Sequence, residues 1–368
     1  MKIAILGTTL QAGVLAALLA EYGNQVYWCY QHSHLSTTSI NIQYQDEEVN
    51  RRLAKQRENK SLFQSAFADI PLDIEAYLFC YSPEESALAL NTLKQLALRP
   101  IIHPRLMVNG STFGLHGTDK LKAILPNDDW VYFPDVIQEG NAINSVLNVK
   151  HVIIGAEAEA AKLMMEELLR PFFRYQNQYL FMPILDAEFT KLSISGMLAT
   201  RISYMNDLAL VAEKLGIDIA NVRQGMGADT RIGSAYLSAG AGFGGENFSH
   251  DILTLSSEVS KSGAKSRLLE QVWEINEQQK EILFRKLWNY YHSDLKGKTI
   301  AIWGAAFKEN TSSIHNSPIH AMLASLWAQG AKVQLHDPQA LQEIYKMYGE
   351  RDDLILSLDA YDVVQNCR

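Results

Sequence analysis

Three cysteines in 368 residues, at positions 29, 80 and 367, are too few and too dispersed for a disulfide framework or a cysteine-based zinc site. They fit a reducing compartment and buried thiols. The ten histidines form no His-x3-His pair beside carboxylates, so no metal is expected. Basic charge is scarce as well: 33 Lys and Arg against 41 Asp and Glu leave a net charge of −8. With no Lys/Arg-rich block, that balance excludes nucleic acid as the main partner. Long apolar runs are missing, and no stretch reaches the ~18 residues of a membrane span. The N-terminal "MKIAILGTTLQAGVLAALLAEYG" is broken by Gly7-Thr8-Thr9 and Gln11 and offers no small-x-small cleavage site. It reads as strand, turn and helix, not as an export signal, and the expected location is cytoplasmic. No Gly-Lys-Ser/Thr follows the glycines clustered at 240–245, which excludes a phosphate loop of that type there.

What is present is ordinary globular sequence, 47% hydrophobic and 20% charged. The length asks for two or three domains at about 150 residues each. Across residues 1–183, "KIAIL", "QVYWCY", "AYLFCY", "LMVNGS", "WVYFP" and "HVIIG" alternate with helical patterns. That alternation predicts a doubly wound parallel sheet. From Asp186 to Leu215 the periodicity is helical, with Asp186 as N-cap and Gly216 as stop. A second long helix is expected from about Lys265 to His292. "GKTIAIWGAAF", a helix near 321–329 and "AKVQLHDP" then restart a strand–helix–strand unit. The expected class is α/β: two Rossmann-like doubly wound parallel-sheet domains, 1–183 and 294–368, joined by a central long-helix domain, 184–293.

Two stretches carry chemistry. The first strand runs into Gly7-Thr8-Thr9-Leu10-Gln11-Ala12, a degraded G-x-G-x-x-G/A dinucleotide turn. Gly7 and Ala12 satisfy the first and third positions. Thr9 puts a β-branched side chain where a pyrophosphate needs bare backbone, and Tyr30 stands where a carboxylate should hold the ribose. The second stretch, "GAGFGGENFSHD" over 240–251, places four glycines between 240 and 245, so that backbone can approach a ligand or another segment closely.

With the long helix, the glycine loop and the second α/β unit in order, the chain resembles the UDP-glucose/GDP-mannose dehydrogenase family. Its A-E-x-x-K, D-x-R-I-G, G-x-G-G-x-C-F-x-K-D and A-F-K-x-x-T-x-D-x-R-x-S-P motifs appear as "AEFTKLSIS" (187–195), "DTRIG" (229–233), "GFGGENFSHD" (242–251) and "AAFKENTSSIHNSP" (305–318). The resemblance implies an NAD-binding N-terminal domain, a central dimerisation and substrate-loop domain and a C-terminal nucleotide-sugar domain, here expected to be curtailed. It implies a homodimer, and a nucleotide sugar, most readily a UDP-hexose, whose C6 alcohol is oxidised to the acid with two NAD. In that chemistry a loop cysteine captures the aldehyde; here the position is Asn247, whose amide is no nucleophile. Lys191 matches the lysine that stabilises the oxyanion, and Asp251 the aspartate beside the nucleophile and its water. Glu139, in "PDVIQEG", matches the carboxylate of hydrolysis, and Thr112 a water-positioning threonine. On the sugar side Lys308, Phe243, Gly244 and Gly245 are kept, and Arg231 matches an arginine reaching into the partner subunit's site. Ser195 replaces an asparagine that holds sugar and water. On the NAD side His250 replaces a lysine and His315 an arginine, neither a sure charge at neutral pH.

The losses therefore fall on the NAD side and the nucleophile, while the sugar side is largely kept. The expectation is a pseudoenzyme that binds a nucleotide sugar, with NAD held weakly and no metal. The alternatives are a two-electron oxidoreductase that needs no thiol, and a structural partner of another sugar-nucleotide enzyme that binds neither ligand.

Overall fold

The computed structural model describes residues 1–29, 42–264, 266–365 and 367. Tyr30 lies outside the described residues. The chain divides into two compact units, Met1–Lys191 and Leu192–Arg368, each with its own sheet.

The first unit opens with β1 (Lys2–Leu6), α1 (Leu10–Glu21) and β2 (Gln25–Cys29). Every residue of α1 from Gln11 to Ala20 is buried, so its apolarity on all sides reflects a helix enclosed by its own domain. There follow α2 (Glu47–Glu58), β3 (Leu62–Gln64), β4 (Ala76–Phe79), α3 (Ser86–Ala97), β5 (Leu106–Asn109) and α4 (Gly117–Lys122). Then come β6 (Asp129–Tyr132), α5 (Ala142–Leu147), β7 (Val152–Gly155), α6 (Glu159–Leu169) and β8 (Tyr179–Met182). The sheet order is β3-β2-β1-β4-β5-β6-β7-β8. Its first six strands are parallel and reverse their order between β1 and β4, the topological switch point where such sheets bind ligands.

One expectation needs correction: β7 meets β6 antiparallel, and only β7 and β8 continue in parallel. The sheet is therefore mixed. Two apolar layers cover it. One is built from α1, α2, α5 and α6; the other comes from α3, α4 and Ile184 and Ala187 of the next helix.

That helix, α7 (Ile184–Leu215), starts two residues before Asp186, which sits in its first turn rather than at the cap. It stops at Gly216, whose φ of +69° favours glycine. The second unit continues with α8 (Ile219–Ala228), α9 (Glu246–Lys261), α10 (Leu268–Lys280) and α11 (Ile282–Tyr290). The single helix expected over 265–292 is in fact two, parted at Glu281. A small core of Ala199, Phe243, Ile252 and Val272 holds this helical part together. The second sheet consists of β9 (Thr299–Trp303), β10 (Lys332–His336) and β11 (Leu354–Leu356), all parallel in the order β11-β10-β9. The helices α12 (Pro318–Ala328) and α13 (Leu341–Tyr348) complete it.

Asp337, directly after β10, accepts four backbone N–H groups, from Ala305, Ala306, Gln339 and Ala340, at 2.7–3.2 Å. Burial alone would push its carboxyl up, yet these donors outweigh it and hold the group below the usual carboxylate range. Among the described residues no helix is long and apolar enough to cross a membrane.

Candidate functional site

In the first unit Gly7, Thr9, Thr112 and Glu139 lie on connections at the carboxyl ends of the strands, Ala12 in α1 and Lys191 in α7. Gly7, at φ +114°, lets β1 turn sharply against the end of β4; a Cβ there would stand 2.1 Å from the Cys80 carbonyl oxygen. Thr9 is the N-cap of α1: its Oγ1 accepts from Ala12 N at 3.3 Å and donates to Cys80 O at 3.0 Å. The threonine thus takes up a donor of the helix N-terminus and ties the turn across the switch point.

Two aromatic side chains, invisible to the motif reading, hold the outside of the turn. Trp28 Nε1 donates to Gly7 O at 2.9 Å. Tyr44 Oη lies 3.1 and 2.9 Å from the carbonyls of Thr8 and Thr9, and its ring fills the notch that Gly13 leaves open. Buried Gln11 reaches toward the Phe133 carbonyl at 3.4 Å, packing against Gly110 on the way. Thr112 and Glu139, both half-buried, sit on the connections after β5 and β6. Lys191 is 6% exposed, near the start of α7.

The second unit builds the glycine loop from both sides. Phe243 N donates to Asn276 Oδ1 at 2.7 Å, and Asn276 Nδ2 returns a bond to Phe243 O at 3.1 Å. Gly240 is held likewise: its N–H donates to Asn206 Oδ1 at 2.8 Å, while its carbonyl accepts from Gln279 at 2.7 Å. Phe243 packs edge-on against Phe248 and Trp273. Gly244 and Gly245 are glycines because other chain segments press on them. A Cβ at 244 would meet Asn316 O at 2.6 Å, and one at 245 the Phe307 ring at 2.9 Å. Gly245 N donates to the His315 carbonyl at 2.8 Å and serves as N-cap of α9 with φ +93°. Lys280, 5% exposed, donates to Asn316 Oδ1 at 2.7 Å, and Asn316 Nδ2 to Ser249 Oγ at 2.8 Å.

Asn247 stands exposed in the first turn of α9, with Asp251 one turn further on and buried. Asp251 Oδ2 accepts from Ser195 Oγ of α7 at 2.7 Å. Of the residues selected from sequence, the structure brings Ser195, Phe243, Gly244, Gly245 and Asp251 together on or against this loop. Lys308 is exposed, its ammonium 5.6 Å from the ring centre of Phe307. The His315 side chain is exposed, so only its backbone serves the loop, and His250 is half-buried in α9 beside Thr254. Arg231 is apart: its guanidinium is 87% exposed and paired with Asp229. Its turn is held by Arg201, which donates to the carbonyls of Ile232 and Gly233 at 2.9 Å.

Sequence reasoning missed Asn206, Asn276, Gln279, Lys280 and Asn316. For the four on helices the signal was local, polar residues recurring on faces that otherwise turn inward, while Asn316 lies on the connection before α12. No group of three His, Cys, Asp or Glu among the described residues could hold a metal ion.

Residues 185–278 match the model of the UDP-glucose/GDP-mannose dehydrogenase family, central domain, and residues 301–368 that of its UDP binding domain. A UDP-glucose 6-dehydrogenase of Pseudomonas aeruginosa is 36% identical over 217 residues, 59% of this chain and 48% of that protein. The Bacillus subtilis UDP-glucose 6-dehydrogenase TuaD is 34% identical over 255 residues, 67% of this chain and 54% of that protein. The matches thus span about half the length of these curated relatives. A solved UDP-glucose dehydrogenase from Pyrobaculum islandicum superposes with a TM-score of 0.89 at 22% identity, covering 100% of this chain and 88% of that one. A UDP-D-ManNAc dehydrogenase from Pyrococcus horikoshii gives 0.80 at 19%, with 100% and 93% covered. At those identities the two solved structures speak for the fold alone.

Proposed function

The chain belongs to the UDP-glucose/GDP-mannose dehydrogenase family, and on that premise we propose that it binds a nucleotide sugar without running the NAD-dependent four-electron oxidation. One observation carries the reading: a fully clamped glycine loop leads into a helix whose exposed first turn offers Asn247 where the chemistry needs a thiolate. An amide cannot add to an aldehyde and be released again as a thioester can. The clamp around Phe243, Gly244 and Gly245 favours retained binding, since a loop with no ligand to meet has little use for buried amides on three sides. The same unit supplies the buried Ser195–Asp251 pair, and the match to the family's UDP binding domain makes a UDP-hexose the first candidate.

The first unit does not fit a dinucleotide well. A pyrophosphate at this turn needs free N–H groups and bare backbone. Thr9 places a hydroxyl there, uses the Ala12 donor and anchors itself on Cys80. Weak NAD binding follows, at about −4 kcal/mol or a millimolar constant. The domain bounds 1–183, 184–293 and 294–368 belong to the same proposal, with the central segment pairing two copies. In support, α7 carries Ile194, Met197, Tyr204, Val211 and Leu215 at spacings of three, seven, seven and four, each 38% exposed or more. Met205 is fully buried in its own unit and cannot serve that face.

The test is calorimetric titration with UDP-glucose and with NAD, joined to mass detection of UDP-glucuronate after long incubation. Binding of UDP-glucose with no acid formed is expected, and Thr9→Gly should tighten NAD. Acid production would refute the reading. Micromolar NAD binding would instead favour the two-electron oxidoreductase. Absence of both ligands would leave the structural-partner role.

A further inference from the structure

Glu188 lies in the "AEFTK" segment, one helical turn before Lys191, and the roles assigned so far do not use it. It is 3% exposed. Its Oε1 accepts from both donors of Thr118, the backbone N at 2.8 Å and Oγ1 at 2.7 Å. Its Oε2 is buried and, among the described residues, has no hydrogen-bond partner. Burial pushes the carboxyl up, against the Thr118 bonds that favour the charged form. A carboxyl buried this deeply is a poor choice for packing alone, where leucine or glutamine would cost less.

What Glu188 joins gives the choice a reason. Thr118 Oγ1 also accepts from Asn109 Nδ2 at 2.9 Å, and Asn109 Oδ1 accepts from Ser111 N at 3.0 Å. Ser111 Oγ in turn accepts from Tyr81 N at 2.8 Å and donates to Phe79 O at 3.1 Å. Asn109 and Thr118 are fully buried, and Ser111 is 2% exposed. This chain runs from the start of α7 to the carboxyl ends of β4 and β5 and finishes at the residue before Thr112. The first turn of α7 is also pressed on β7: a Cβ at Gly155 would lie 2.9 Å from both Ala187 Cβ and Ile184 Cα.

We infer that Glu188 is a positioning residue, which locks the first turn of α7 to the β5 end and thereby sets where Lys191 and Thr112 stand. The functional weight of that position rests on the reading of Lys191 as a sugar-site residue. The locking itself does not. On a helix, residues three apart share a face, so a shift of Glu188 is passed to Lys191 directly.

The experiment measures acetylation of each lysine by an N-hydroxysuccinimide ester, followed by peptide mass spectrometry, in the full chain. Glu188→Ala should speed labelling of Lys191 about tenfold, the consequence of leaving the buried Thr118 donors unpaired. Glu188→Gln keeps an oxygen for Thr118 and should stay within about twofold of the parent protein. Lys280, equally buried in the second unit, should not change in either variant. The inference is overturned if Lys191 labelling is unaltered in Glu188→Ala, if Glu188→Gln behaves like alanine, or if Lys280 rises alongside. Should Glu188→Ala not fold, Thr118→Val carries the test: a smaller rise confined to Lys191 supports the lock, and no rise overturns it. A parallel UDP-glucose titration keeps the two ideas separable, because failure of the parent protein to bind refutes the sugar-site reading and leaves the labelling result to judge Glu188.

Discussion

Gly244→Ala should unfold the second unit earlier and impair its loop, although it adds a single methyl group. The new Cβ would sit 2.6 Å from the Asn316 carbonyl oxygen, 2.9 Å from its carbon and 3.0 Å from Phe307 Cβ. The closest atoms are main chain, so no rotamer change relieves them. Asn316 is moreover held by Lys280 at 2.7 Å and holds Ser249 at 2.8 Å, and its backbone is already left-handed at φ 53°. Overpacking of this kind costs about 1–3 kcal/mol. For a unit of this size each kcal/mol moves the midpoint by roughly 2–4 °C, so a fall of about 2–12 °C is expected. Gly240→Ala is the control. Nothing lies within 4 Å of its added Cβ, and both its bonds, to Asn206 and from Gln279, use main-chain atoms that alanine keeps. It should change stability by about 0.5 kcal/mol at most. Scanning calorimetry on the three proteins reads the difference. If Gly244→Ala melts with the parent protein, or if Gly240→Ala is as damaging, the close approach of 244 to 316 is not what holds the loop.

Asn247→Cys should introduce a thiol more reactive than a free cysteine at pH 7, because it enters an exposed first turn of α9, where the helix N-terminus favours the thiolate. Iodoacetamide kinetics against pH, set against the parent protein, will show it: buried Cys29 is pushed up to about 12 by desolvation and Cys80 further still, so half-buried Cys367 supplies the background to subtract. A thiol titrating above ~8.5 would contradict the helix-end argument. Asp337→Asn loses one acceptor oxygen facing two N–H donors and should cost about 3 kcal/mol. Because the native carboxyl titrates below its unfolded value, its contribution is complete above about pH 4 and is lost as pH falls through the folded value. Urea midpoints from pH 6 down to 3 should therefore decline less steeply in the variant, and parallel slopes would refute the assignment. Charge at Met197, Tyr204 and Val211 together should halve the mass seen by light scattering without lowering helix content, whereas a parent protein already monomeric would end the pairing proposal.

The fold was legible where burial leaves a long signature. The strands β1, β2, β4, β5, β6 and β7 are β-branched or aromatic runs, and α1 and α7 have clear stops. β3 and β8 escaped because strands as short as Leu62–Gln64 and Tyr179–Met182 carry too few residues to show a period. The antiparallel turn-back of β7 is a matter of connection geometry, which a hydrophobic run does not encode. The break between α10 and α11 falls at Glu281, a good helix former, so composition gives no warning of it. Met205 shows the limit of reading one helix alone: a helical period marks apolar positions, but not which neighbour each one faces.

The candidate site divides along the same physical line. Motif residues are conspicuous because chemistry restricts them, and an absent thiol at 247 is visible without coordinates. The clamp is not, since Asn206, Asn276 and Gln279 become recognisable only when their amides are seen to bond loop backbone across 33 to 39 residues of sequence. Thr9 falls between the two cases. Its β-branch is an evident intrusion in a glycine turn, but the sequence does not say whether the side chain swings aside. In the structure it does not: it caps α1 and bonds Cys80, so removing it for a ligand would sacrifice two hydrogen bonds and leave Ala12 N–H to be satisfied anew. A threonine so placed stabilises the unliganded turn, and each contribution it makes there opposes a pyrophosphate. The loop in the second unit has the reverse character, its clamp organised and its glycines kept under pressure from neighbouring backbone. A turn that caps itself in the first unit and a clamped glycine loop in the second are the two observations that support the proposed binding without hydride transfer.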